Sequence, residues 1–208
     1  MAGRVAGKIK LQTVDELLGV PEIAGTQEIE LGRIHAFPNH PFKVLDDERM
    51  DMLVESIREN GILNPVIVRP DKNGDYEMIS GHRRLHAAGI VGLSKIPAIV
   101  KEMSDDEAII KMVDANIQRE EIMPSEKAFA YKMKLEAMKR TAGRPTKENA
   151  CHNGTHLRSD QELALQVGDS ARSIQRYIRL TELIPELLEC IDNKKLGLVI
   201  AVDRSEEH

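Results

Sequence analysis

The sequence predicts an α+β molecule in two parts. Three observations predict it: two short β-type runs around a polar turn at 65–79, apolar residues at helical spacing on either side of them, and a helix, glycine, helix pattern at 160–180. The expected division is an arm over 1–28, an α+β domain over 29–121, a helical domain over 122–200 with a loop at 141–158, and a tail over 201–208.

The arm holds only a short helical possibility at 14–18, followed by Pro21 and Gly25, and reads as loosely attached. Asp46 can cap a helix in which Met50, Leu53, Val54 and Ile57 recur at helical spacing, and Asn60 with Gly61 ends it. The run 65–68 reads as a buried strand, 71–75 as a turn, and 76–79 as the hairpin partner. Ser80 and Gly81 break that strand, so a helix over 82–88 starts directly at its end. The run 96–100 reads as another strand, placed at a sheet edge because Pro97 cannot donate to a ladder. Ser104 and Glu107 make a capping box for a helix reaching about Asn116.

Pro124 and Ser125 open a further helix, with Ala128, Tyr131, Leu135 and Met138 on one side and the lysines and Arg140 on the other. The stretch 141–158 gathers Gly143, Pro145, Asn149, Asn153 and Gly154 with almost no large apolar residue, the composition of a loop. Within it, Cys151, His152 and His156 lack an evident fourth ligand and read as incidental rather than as a metal site. Helical spacing resumes at Ser159, and 199–208 carries no readable element.

Composition narrows the function classes. Of 208 residues, 41% are hydrophobic and 30% charged, while aromatics are 3% and Trp is absent, so the cores must be aliphatic and small. No apolar run approaches the roughly 20 residues of a spanning helix, and the basic start lacks a signal-peptide stretch, so the expected compartment is the cytoplasm. Two cysteines without a CxxC pair agree with a reducing environment. A net charge of −5 excludes nucleic-acid binding through bulk charge. Charge is instead segregated: 132–147 carries six cations against one acid, and 186–208 six acids against three cations.

The segment 160–180 has the layout of a helix-turn-helix. Ala164 is small where the helices cross, Gly168 suits the turn, and Leu163, Val167, Ile174 and Tyr177 can seal the pair. At about 100° per residue, the second helix presents Arg172, Gln175, Arg176 and Arg179 on one side and Ala171, Ile174 and Ile178 on the other. Arg can fork onto guanine edges or phosphates, Gln can pair with adenine, and Ser170 or Ser173 can reach a phosphate, so double-stranded DNA is the expected ligand. The plain alternative is an amphipathic hairpin with a solvated basic face. Asp169 stands where this motif is often apolar.

The run Ser80, Gly81, His82, Arg83, Arg84 places a glycine and two arginines where a strand gives way to a helix. Backbone amides and the positive helix end favour an anion there, and arginine forks onto phosphate oxygens. A second cluster, Asn116, Arg119 and Glu120, ends the following helix, and its Asn and carboxylate oxygens are hard donors suited to Mg2+. Together they suggest a nucleoside triphosphate. The plain alternative is an arginine pair bridged to acids such as Glu77 or Glu102.

With 53–70, the glycine-arginine turn, 115–120, Pro124 to Ala128 and the helix-turn-helix in this order, the chain resembles ParB-like partition proteins, the ParB/RepB group, over about 29–195. The resemblance implies a small mixed-sheet ParB/sulfiredoxin-like domain that binds CTP with Mg2+, and a helix-turn-helix domain that binds a centromere-like DNA site. It also implies self-association of two N-terminal domains into a sliding clamp, a ParA-type ATPase partner, and attachment to the nucleoid or a plasmid. Matching residues carry Gly81, Arg83 and Arg84 to the nucleotide phosphates, with Ser80 and His82 of the same turn expected in the nucleotide site, Arg119 in the same switch region, and Asn116 and Glu120 at the metal.

The match has departures. His82 replaces a Glu in the family's Gly-Glu-Arg-Arg turn, His86 replaces a later Arg, and Ala115 stands where an acid precedes the Asn. The Asn-Pro-x-Gln-Pro-Arg box appears as Phe37, Pro38, Asn39, His40, Pro41, Phe42, without the Gln and Arg associated with nucleotide chemistry. Binding is therefore the expectation, hydrolysis at most a weak CTPase, and His35, His40 and His82 are expected as polar neighbours of the phosphates. A sulfiredoxin-type redox role would need a cysteine beside Gly81, and neither Cys151 nor Cys190 is local to it. A DNA-binding transcriptional regulator without nucleotide activity, and a phosphotransferase on the same fold, remain as alternatives.

Overall fold

The computed structural model describes residues 25–119, 122–142, 158–198 and 200. A five-stranded mixed sheet runs in the order β1 (Thr26–Glu30), β5 (Lys95–Val100), β3 (Val66–Pro70), β4 (Tyr76–Ser80), β2 (Ile34–His35). Among the described residues there are seven helices: α1 (Glu48–Asn60), α2 (His82–Val91), α3 (Asp105–Ile117), α4 (Pro124–Ala142), α5 (Ser159–Val167), α6 (Ala171–Leu180) and α7 (Pro185–Asp192). The chain is α+β.

The period of two along each strand divides the core. Val66, Val68, Met78, Ile96 and Ala98 point to one face, where Leu85 and Ala88 of α2 cover them. Ile67 and Ile79 point to the other, against Ala108, Met112 and Val113 of α3 and Ala130 of α4. Met50, Val54 and Ile57 of α1 pack on Ala87 of α2. Helix α4 also meets α5 and α6 through Tyr131, Leu135, Met138, Leu163 and Ile174, and α6 and α7 through Ala128, Leu180 and Ile191. One 19-residue helix thus joins the sheet to the helical part.

Four expectations are corrected. The strand β1 begins at Thr26, inside the run assigned to the arm. Helix α1 is capped by Asp47, whose carboxylate accepts from the Met50 N–H at 2.8 Å, while Asp46 faces His86 Nε2 at 2.7 Å. Strand β5 is central, antiparallel to β1 and parallel to β3. Pro97 is tolerated because it lies opposite Glu28 and one place before Ala98, the first β5 residue matched to β3, so its missing donor falls at the end of that ladder. Finally, Lys134 is not on a solvated side: α4 is covered by α3 there, and the Lys134 ammonium is buried against Asp114. The Cys151, His152 and His156 cluster lies outside the described residues.

Candidate functional site

Strand β4 ends at Ser80, and Gly81 carries the chain into α2 at φ +115, a conformation that L side chains rarely adopt. A Cβ at Gly81 would stand 2.6 Å from Val66 Cγ1, so the glycine is required by the fold itself before any ligand is considered. Its local effect is to start α2 with no side-chain cap, leaving the amides of the first turn to other partners.

Beyond this turn lies a cavity of about 380 Å³ lined by Arg49, Leu53, Ser80, Gly81, Arg83, Arg84, Ala115, Asn116 and Arg119. The end of α3 and the start of α2 meet across it. Burial, and then the neighbouring Arg83, lower the Arg119 guanidinium, the mark of like charges held close. Arg119 also stands over the Phe42 ring, 6.0 Å from its centroid. Asn116 is buried, and its Nδ2 donates to the Met112 carbonyl at 2.7 Å, which leaves its oxygen as the amide's acceptor.

The arginines are held by their surroundings. Arg83 reaches Asp47 at 3.4 Å. Arg84 donates to the carbonyls of Asn64 and Pro65, the latter at 2.8 Å, and burial lowers it. Among the described residues Glu77 pairs with Arg69 rather than with either of them. His82 is not among the residues that line the cavity: it is buried, its ring tilted against that of His40 at 3.8 Å between centroids. His40 Nδ1 meets the Phe42 carbonyl at 2.8 Å. His35, on β2, meets Asp75 at the β3–β4 turn at 3.5 Å. Glu120 lies outside the described residues.

Sequence reasoning missed Arg49, which α1 brings to the cavity wall, and the neighbouring cleft that Lys43 and Lys194 line. Arg49 sits in the first turn of a helix whose cap, Asp47, pairs with Arg83, and no local pattern announces that Arg49 and Arg83 line one cavity.

The second surface is the helical one. Gly168 turns α5 into α6 at φ +73, and Ser170 caps α6 by accepting from the Ser173 N–H at 3.0 Å. Leu163 and Ile174 are fully buried, and Val167 and Tyr177 pack beside them. Arg172, Gln175 and Arg179 are exposed, Ser173 and Arg176 half-buried, and Ser170 is exposed with its hydroxyl engaged as the cap. Asp169 has a structural task at the turn: it accepts from the Tyr131 hydroxyl and pairs with Lys127 at 2.7 Å. Burial pushes Tyr131 up, reinforced by Asp169.

Comparison with known proteins places this geometry. The ParB N-terminal domain family matches residues 15–117. The chain is 34% identical over 173 residues to the chromosome-partitioning protein Spo0J of Thermus thermophilus, covering 83% of this chain and 57% of that protein. It is 30% identical over 213 residues to a nucleoid occlusion protein of Listeria monocytogenes, covering 98% of this chain and 67% of that protein. The chain spans about three fifths of the length of the first such relatives. Two solved structures share the fold. One is the C-terminally truncated ParB of Caulobacter crescentus complexed to the centromeric parS site, with TM-score 0.53, 23% identity, and coverage of 86% of this chain and 84% of that one. The other is a Pnob8-like ParB-N domain, with TM-score 0.55, 17% identity, and coverage of 85% and 77%. No helix among the described residues is long and apolar enough to cross a membrane. With a mixed sheet, a glycine-arginine turn facing the end of α3, and relatives over nearly the whole chain, this protein belongs to the ParB family.

Proposed function

We propose that the chain is a DNA-segregation protein that binds a specific centromere-like site through α6 and a nucleoside triphosphate, CTP, through the cavity between α2 and α3. The observation that carries the nucleotide half is the convergence of Gly81, Arg83, Arg84, Asn116 and Arg119, from two separate stretches of chain, on one cavity. Its volume of about 380 Å³ adjoins a larger cleft, within the size range of small-molecule sites, about 300–1,000 Å³. Arg83 and Arg119 supply fixed positive charge, and the open amides of the first turn of α2 supply donors. Ser80 lines the cavity beside Gly81, and the buried His82 follows them at the start of α2.

The residues present fit Mg2+ at one position, since Asn116 has its nitrogen tied to Met112 and its oxygen left as a hard donor. Asn116, with Glu120 after it, would hold the ion, whose charge would offset that of the phosphates. The protein's own part is to orient the triphosphate with Arg83, Arg84 and Arg119.

For DNA, Arg172, Gln175, Arg176 and Arg179 form the face of α6 opposite its core, with Ser170 and Ser173 at the start of the helix, as groove reading by a recognition helix requires. The relatives named for chromosome partitioning and nucleoid occlusion support this reading. Nucleotide and site together would bring two copies into a clamp, with a ParA-type ATPase as the motor partner.

The plain regulator is the second reading, and one observation favours it: Arg84 is engaged by the carbonyls of Asn64 and Pro65 within the fold. Binding of labelled CTP and ATP with Mg2+, with and without a cognate site, separates the two. CTP-selective retention increased by DNA is the expected result. DNA binding without any nucleotide binding would leave the regulator.

A further inference from the structure

The phosphate cavity opens into a cleft of about 600 Å³ that shares Arg49, Arg83 and Arg119 with it. The far wall comes from the helical part: Pro124 and Glu126 at the start of α4, and Asp192 and Lys194 at the end of α7. The cleft is lined by five cations, Lys43, Arg49, Arg83, Arg119 and Lys194, and three carboxylates.

All three carboxylates are already engaged. Asp47 caps α1 and meets Arg83. Glu126 accepts the backbone N–H of Lys43 at 2.7 Å and of Met123 at 3.2 Å. Asp192 accepts the Ser125 N–H at 2.9 Å and the Ser125 hydroxyl. Neither the Lys43 nor the Lys194 ammonium forms an ion pair among the described residues. The cleft therefore has positive charge in excess of its internal partners.

Lys194 carries a second, independent signal. It sits just past the end of α7 at φ +59, its N–H donating to the Ile191 carbonyl at 2.9 Å. This is the left-handed position that closes a helix, where glycine or asparagine is usual and a lysine backbone is strained. Asn193, next to it, would suit that conformation better, yet the lysine occupies it, and it lines the cleft. A strained residue at a cleft wall is the kind of outlier that function retains.

We propose that Lys194 is a phosphate contact delivered by the helical part, opposite Arg83 and Arg119, so that a bound nucleoside triphosphate ties α7 to the sheet part. This rests on the nucleotide reading above and adds to it a means by which the nucleotide reports to the helices that carry α6. A triphosphate reaches across the cleft better than a diphosphate, so Lys194 discriminates between them.

The test is titration calorimetry of the full chain with CTP and with CDP in Mg2+, on the parent and on Lys194→Ala, Lys194→Arg and Arg83→Ala. Lys194→Ala is expected to weaken CTP about tenfold, the order of one charge-assisted contact, and CDP much less. Lys194→Arg recovers most of the loss. Amide exchange in α7 is expected to slow when CTP binds the parent and to stay unchanged in Lys194→Ala. Lys194→Gly serves as the folding control, because it removes the strained φ and should unfold no earlier than the parent. If Arg83→Ala loses CTP while Lys194→Ala binds it as the parent does, the assignment of Lys194 is overturned and the nucleotide site stands. If the parent binds no nucleotide, both are overturned.

Discussion

His82 stacks on His40 with ring centroids 3.8 Å apart, and both nitrogens of His82 and Nε2 of His40 are buried without a hydrogen-bond partner. Two neutral imidazoles are thus enclosed directly behind the glycine-arginine turn. Burial, then His40 and Arg119, lowers His82 from the ordinary 6.5 to about 3. His40 is lowered as well, first by burial.

The consequence for acid stability has a definite sign. Below pH 6.5 the unfolded chain protonates this histidine and the folded chain does not, so folding weakens as pH falls from 6.5 towards about 3. The slope is about 1.4 kcal/mol per pH unit. His82→Leu removes the titrating ring and the unpaired nitrogens, so urea unfolding at pH 5 and pH 7.5 should show about 2 kcal/mol less acid loss in the variant. Equal loss in both chains would mean that His82 is protonated in the fold.

Gly81→Ala meets two obstacles, the φ of +115 and Val66 Cγ1 at 2.6 Å. An expected cost of about 2–3 kcal/mol follows from the strained backbone and the displaced core residue. Val66→Ala in the same chain removes the second obstacle only, so the pair should cost about 1 kcal/mol less than the sum of the single changes. Strict additivity in denaturant titrations would place the Val66 side chain elsewhere.

Lys134 is 1% exposed and its partner Asp114 half exposed. Asp114→Ala strands a buried ammonium and should cost about 2–3 kcal/mol, below the cost for a fully enclosed pair because water reaches one side. Lys134→Met keeps the volume and removes the charge, and it should fall within about 1 kcal/mol of the parent. Thermal unfolding of the two variants distinguishes a charge held for want of an alternative from one that stabilises the α3–α4 contact.

Asp169 holds the helix-turn-helix turn to α4 through Tyr131 and Lys127, whose ammonium also lies 4.8 Å from the Tyr177 ring centroid. Burial works to raise the Asp169 carboxyl, but the bonds from Lys127 and Tyr131 bring it below its usual range. Asp169→Ala should cost about 1–3 kcal/mol by leaving two partners unmatched, and Tyr131→Phe should cost less because only a hydroxyl is removed. Amide exchange at 168–173 should accelerate in Asp169→Ala. Unchanged protection there would show that the apolar seal alone fixes the turn.

Most elements were legible because their causes are local. The capping box at Ser104 and Glu107, the hairpin about the 71–75 turn, Gly168 between α5 and α6, and the apolar spacing of Leu163, Val167 and Ile174 depend on neighbours a few residues away. The basic face of α6 was legible for the same reason, since helical period alone separates Arg172 and Gln175 from Ile174.

Local pattern along the chain was enough for the α+β class, the order of the elements, and the residue types gathered at Gly81 and along α6. Long-range packing set the rest: Pro97 lies in an interior strand, Lys134 is buried, Arg49 and Lys194 line the cleft, and His82 meets His40. These depend on contacts between residues far apart in the chain, where the packing of α4 against the sheet and the other helices sets which side chain meets which. No periodicity within one segment records that pairing.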